Sequence, residues 1–139
     1  MDVFPAKQKG APVQVFVHGG FWRFLDSFDH TLIVPMFHEA GAATVLLNYD
    51  LCPMVPLTEV IAQIRRGLAA VYERADEYGY DRDQLYISGH SAGGHLSAML
   101  AASDCAALGL PADAIKGAAM ISGLYDPGSY THLRAHETR

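Results

Sequence analysis

The chain has 139 residues, half of them hydrophobic and 18% charged, with a formal net charge of −5. That length is one domain, 1–139, and that composition is globular with enough apolar side chains for a core. The mild acidic balance and the lack of a basic stripe argue against nucleic acid as a partner, and no apolar run approaches the roughly 18 residues of a membrane span. Met1 to Lys7 lack the charged start and apolar core of a secretory signal. Two cysteines, Cys52 and Cys105, are too few for a disulfide framework and sit in no metal-ligand pattern. The expectation is free thiols, no bound metal and a cytoplasmic setting.

Val3-Phe4-Pro5 reads as a strand remnant, and Gly10 and Pro12 break the turn that follows. Val13 to Val17 is a short β-branched run, a buried strand. It ends at His18-Gly19-Gly20-Phe21-Trp22. Adjacent glycines after a strand allow a turn that aims N–H groups into a cavity. Taken alone, the stretch reads as an ordinary Gly-Gly loop before it reads as an oxyanion site.

From about His30 a helix is expected, with Leu32, Ile33, Met36, Phe37 and Ala40 on one side and Gly41 as its stop. Pro35 makes its first turn irregular. Ala43 to Leu47 is the next buried strand, and Asn48 to Pro56 is a loop. Leu57 to Tyr78 carries the clearest helical pattern. Val60, Ile61, Ile64, Leu68, Val71, Tyr72 and Ala75 recur at helical spacing, and Gly79 ends it.

The most informative stretch is Ile87-Ser88-Gly89-His90-Ser91-Ala92-Gly93-Gly94-His95. It reads G-x-S-x-G, preceded by the apolar run Leu85-Tyr86-Ile87 and followed by a helix-like run from His95 to Ala102. A strand–turn–helix context is what a nucleophile elbow requires. Its sharp turn has no room for side chains beside the serine, and it sets the hydroxyl at a helix N-terminus, where free N–H groups favour negative charge. The alternative is a Gly-rich turn with an idle serine. Ser103 to Lys116 is a loop, Gly117 to Ile121 one more strand, and Gly128 to Arg139 a polar stretch without a clear element.

Strands alternating with helices imply a mostly parallel sheet with helices on both faces, a three-layer α/β/α arrangement. Both glycine-bearing loops follow the carboxyl ends of strands, where ligands bind in open α/β sheets. A nucleotide-binding domain fits less well, because no G-x-G-x-x-G opens a helix and no Gly-rich loop ends in Lys-Ser/Thr.

On these residues the chain resembles the α/β-hydrolase superfamily, and within it the esterase and arylformamidase (kynurenine formamidase-like) branch. The likeness runs from about Val3 to Pro127. It rests on His18 to Trp22, on Asn48-Tyr49-Asp50-Leu51-Cys52-Pro53, on Gly89 to His95, and on Ser122-Gly123-Leu124-Tyr125-Asp126. The resemblance implies Ser91 as nucleophile and an oxyanion hole of Ala92 on one side and Gly20 and Phe21 on the other. The substrate it implies is a small ester or an aryl formamide such as N-formylkynurenine, cleaved through an acyl-enzyme without a cofactor.

The same family orders its triad as Ser, then acid, then His. On that pattern the chain lacks the segments carrying both partners, so a partial α/β-hydrolase fold is expected, complete folds of this type being commonly well over ~200 residues. Asp126 is a candidate acid, with a helix cap or plain loop carboxylate as the alternative. His132 and His136 reach Ser91 only if the tail folds back. His90 points away from the serine it adjoins and is placed in the substrate pocket or against the neighbouring loop. His95 is expected to hydrogen-bond a nearby loop, and His18 to brace its own. Phe21 and Trp22 either line an aromatic pocket or simply pack, and Cys52 reads as a small buried apolar residue. A half-sheet exposes a strand edge, so self-association or pairing with a companion chain is expected there. Against the enzyme stands a degenerate hydrolase domain that only binds or assembles.

Overall fold

Runs of β-branched and aliphatic residues stay as strands when helices seal the sheet they form. Val13, Val15 and Val17 are such residues, and all are fully buried. The computed structural model describes residues 1–128. Its elements are β1 (Asp2–Phe4), β2 (Ala11–Val17), α1 (Val34–Glu39), β3 (Ala43–Leu47), α2 (Leu57–Glu73), α3 (Ala75–Tyr78), β4 (Tyr80–His90), α4 (Ala92–Ala101) and β5 (Ile115–Ile121). Short 3-10 segments lie at Phe28–Ile33 and Ala106–Leu108.

The sheet order is β1-β3-β2-β4-β5. All pairs are parallel except β1 with β3. The chain leaves β2 for β3 on one side, then crosses back to β4 on the other. Right-handed crossovers therefore put α1 on one face and α2 with α4 on the opposite face.

The α2/α4 face holds the core. Val60, Ile64, Leu68 and Val71 form the buried stripe of α2. They pack with Val13, Val15, Val45, Leu47, Leu85 and Ile87 of the sheet and Leu96 and Leu100 of α4. Each such side chain, fully buried, stabilises by about 1.5–3 kcal/mol. Here the apolar spacing of the sequence translated directly into packing.

The α1 face is thinner than expected. The helix anticipated from His30 is a 3-10 segment followed by six-residue α1, with Pro35 in the first turn of α1. Proline is tolerated there because the first N–H groups have no intrahelical acceptor. No residue of α1 is buried, and Leu32 and Met36 of the supposed inner stripe are 77% and 60% exposed.

Element boundaries shifted where backbone geometry decided them. The helix over 57–78 breaks at Arg74 (φ −93°, ψ 13°) into α2 and α3, and Gly79 caps the second piece at φ 76°. The elbow helix begins at Ala92 rather than His95, taking both glycines into its first turn. β4 begins at Tyr80 and β5 at Ile115, each earlier than its apolar run. β1 and β5 are the two edge strands among the described residues, and on β5 Met120 and Ile121 are 38% and 52% exposed.

Leu68→Ala, at a fully buried position, is expected to lower the unfolding free energy in urea by about 2–5 kcal/mol. Leu32→Ala is expected to stay within about 0.5 kcal/mol. Equal losses would mean that the α1 face carries core as well.

Candidate active site

The crossovers reverse direction between β2 and β4, which pair in register with Val17 opposite Gly89. The crevice beyond the carboxyl ends of strands at such a reversal is where open α/β sheets bind ligands. His18 to Trp22 leave β2 at that point, and Ser91 leaves β4.

Ser91 sits at φ 57°, ψ −119°, outside the ordinary regions for a residue with a side chain. Such a conformation costs on the order of 1–3 kcal/mol and persists only where the surroundings enforce it. The flanking glycines show how. A Cβ on Gly89 would collide with the Gly93 carbonyl oxygen, and one on Gly93 with the Val17 carbonyl oxygen. Gly19 makes a similar approach from the other loop. A Cβ there would lie 2.7 Å from the His90 carbonyl oxygen and 3.2 Å from Ser91 Cβ. The two loops singled out in the sequence are thus one packed unit. Gly19 is the residue whose role the sequence did not single out. Its only signal was its place in the Gly-Gly pair.

Ser91 is half-buried, and although it caps α4 its hydroxyl makes no capping bond. Its carbonyl accepts the His95 N–H at 3.2 Å, the first bond of α4, and its N–H donates to the Ile121 carbonyl at 2.9 Å. Ala92 opens α4, so its N–H is among those without an intrahelical partner. On the opposite loop Gly20, Phe21 and Trp22 have φ of 101°, 52° and 58°. The Gly20 carbonyl accepts the N–H groups of Arg23 and Phe24, each at 2.9 Å, which folds the loop back on itself.

His18 braces this loop, as expected. Its ring is buried, with Nδ1 2.8 Å from the Gly19 carbonyl oxygen and Nε2 3.0 Å from Asn48 Oδ1. It stacks on Tyr49 at 4.1 Å and 3°, and the Tyr49 hydroxyl donates to the His18 carbonyl at 2.9 Å. Burial lowers the His18 pKa from its ordinary 6.5, outweighing the hydrogen bonds that raise it. Burial pushes the Tyr49 hydroxyl up.

His95 departs from expectation. Among the described residues it makes no side-chain hydrogen bond to a loop and its buried Nδ1 has no partner; its ring meets the Trp22 ring at 5.4 Å and 87°. The glycine loop meets it through the Trp22 ring in place of a hydrogen-bond acceptor. Trp22 is 1% exposed, yet it also lines a cavity of about 330 Å³ with Cys52, Val55, Leu57 and Pro127. A second cavity, of about 570 Å³, is lined by Leu25, Asn48, Tyr49, Leu51 and Met54. Cys52 is buried, as expected, and both cysteines are free thiols.

His90 is exposed at the last position of β4, and Asp126 is exposed beyond β5. His132 and His136 lie outside the described residues. Among the described residues no histidine or carboxylate hydrogen-bonds the Ser91 hydroxyl. Among them, too, no group of three His, Cys, Asp or Glu is placed to hold a metal, and no helix is long and apolar enough to cross a membrane.

A mostly parallel sheet with a strained serine at a strand–helix turn, faced by a glycine loop from the adjacent strand, defines an α/β-hydrolase of the esterase and arylformamidase branch. The BD-FAE family model matches residues 1–113, and the chain belongs to that family. It is 34% identical over 116 residues to a kynurenine formamidase of Salmo salar, covering 83% of this chain and 37% of the relative. To the Danio rerio kynurenine formamidase it is 31% identical, covering 91% of this chain and 42% of the relative. A putative thioesterase from silicibacter sp. tm1040 superposes with a TM-score of 0.78 at 30% identity, over 94% of this chain and 47% of that one. The thermophilic carboxylesterase EstE1 does so with a TM-score of 0.65 at 33% identity, over 69% and 33%. The chain spans less than half the length of these relatives.

Burial lowers the pKa of both His18 and His95 from 6.5. The unfolded chain therefore takes up protons first as pH falls, so stability is whole above 6.5 and declines below it towards the folded values. The urea midpoint is expected to drop between about pH 7.5 and about pH 5.5, and to drop less in His18→Asn and in His95→Phe. Equal pH slopes in all three proteins would assign the acid sensitivity elsewhere.

Proposed function

We propose that this chain carries the nucleophile and oxyanion site of a serine hydrolase for small carboxylic esters or aryl formamides of the N-formylkynurenine kind. The observation that carries the reading is the packing of Gly19 against Ser91, which joins a serine of strained backbone, whose hydroxyl makes no capping bond to α4, to a loop of positive-φ residues. The relatives named kynurenine formamidase and carboxylesterase support the substrate class.

In this reading Ser91 attacks the carbonyl carbon while a histidine takes its proton. The oxyanion forms between the Ala92 N–H and the N–H groups of Gly20 and Phe21, each worth about 3–4 kcal/mol of barrier in comparable sites. The leaving group departs with the proton, and water then releases the acid from the acyl-enzyme. The apolar cavity beside Trp22 suits the aryl or acyl part of the substrate; the exposed His90 is not among the described residues that line it. The histidine comes from residues outside those described or from a companion polypeptide. Asp126, just after β5, is the candidate acid, with a plain loop carboxylate as the alternative. Two buried free thiols support a cytoplasmic setting.

A second reading is a binding or assembly domain that turns nothing over. It is favoured by the lack of a histidine bonded to Ser91 among the described residues. The exposed β5 edge supports pairing with another chain or a second copy.

Intact-mass spectrometry before and after a fluorophosphonate probe separates the two readings. A stoichiometric adduct, abolished in Ser91→Ala, is expected for the hydrolase. No adduct on folded protein would leave the assembly reading. The same spectrum reveals a companion chain, and a sharp, concentration-independent monomeric unfolding transition would argue against self-association.

A further inference from the structure

Three successive residues of the glycine loop, Gly20, Phe21 and Trp22, have positive φ, and two of them bear side chains. Such a run needs external restraint to stay folded. The Trp22 carbonyl accepts the Cys52 N–H at 2.7 Å, which ties the loop to the segment after β3. The Trp22 side chain is tied elsewhere. Its ring stands at 87° to His95 at 5.4 Å, and His95 lies four residues after Ser91, bonded through its N–H to the Ser91 carbonyl. One side-chain contact thus bridges the strained glycine loop and the strained elbow.

The pair is chemically odd for plain packing. Among the described residues, the buried Trp22 Nε1 and His95 Nδ1 both have no hydrogen-bond partner. Orphaned polar atoms destabilise a core, and an aliphatic pair would avoid them. Aromatic rings at right angles attract through the positive edge of one and the negative face of the other, a geometry that also lets an edge N–H meet a π face. This interaction is directional and fixes orientation as well as distance, which an aliphatic contact does not.

We propose that His95 is a positioning residue: through its edge-to-face contact with Trp22 it sets the Gly20–Phe21 backbone relative to Ser91 and Ala92. The inference rests on the proposed function only in taking those amides as oxyanion donors. The contact and its mechanical role stand apart from catalysis.

Trp22 is the single tryptophan, so its emission reports the contact without labelling. Loop order is read from hydrogen exchange at the Arg23, Phe24 and Cys52 amides, whose acceptors are the Gly20 and Trp22 carbonyls. Wild type, His95→Leu and His95→Phe are compared. His95→Leu keeps an apolar side chain without a ring, and His95→Phe keeps the ring. His95→Leu is expected to alter Trp22 emission and to speed exchange at those three amides about five- to tenfold, with β3 amides unchanged. His95→Phe is expected to restore both. Fluorophosphonate labelling of Ser91 should slow in His95→Leu and recover in His95→Phe. Exchange unchanged in His95→Leu, or changed equally in His95→Leu and His95→Phe, would overturn the proposal. A wild type that never labels would sink the hydrolase reading, while exchange still decides the positioning role. Should His95→Leu not fold, the more conservative His95→Gln, which lacks an aromatic ring, is read in its place by the same criteria.

Discussion

The close approach of two backbone turns governs this molecule. β2 and β4 pair in register up to Val17 and Gly89, and beyond that pair the chain departs in two directions at once. Only glycine at positions 19, 89 and 93 lets those departures pass within van der Waals contact of each other. Ser91 is lifted into an unfavourable backbone conformation as a consequence, and its hydroxyl makes no capping bond at the start of α4. The strain is tolerable because the strands and α4 beneath it belong to the best-packed part of the fold. A site on rigid elements keeps its geometry where a free loop would relax.

That rigidity is unevenly distributed. The α2/α4 face contributes nearly all of the buried aliphatic core, whereas α1 contributes no buried residue. The glycine loop crosses between these unequal faces and carries its own supports. His18 stacks on Tyr49 on one side, and Trp22 meets His95 on the other. Each support couples a side chain of the loop to a residue from a different strand connection. Local order in the loop therefore depends on tertiary contacts of the segments after β3 and β4.

The BD-FAE match takes in His18 to Trp22, Asn48 to Pro53 and Gly89 to His95, three of the stretches from which the esterase and arylformamidase likeness was read, and ends before Ser122 to Asp126. The site residues themselves were proposed from the sequence and stand as proposals. The structure adds the physical connection between Gly19 and Ser91 and replaces a hydrogen-bonding role for His95 with a ring contact. Exposure of β5 along the edge of the sheet gives the assembly reading its physical basis.

The amino-acid sequence by itself determined the alternation of strands and helices, the stripe of α2, and the elbow around Ser91. Each of these is written in local periodicity or in a short motif whose geometry the chain adopts within a few residues. Helix ends at Arg74 and the false inner stripe at Leu32 and Met36 were misread for a related reason: apolar spacing records which residues can be buried, not whether a partner layer exists to bury them. What only the tertiary structure decided was contact between segments distant in the chain. Gly19 against Ser91, His18 on Tyr49 and Trp22 against His95 depend on strand order and crossover direction, and no window of sequence around any one of them encodes its partner.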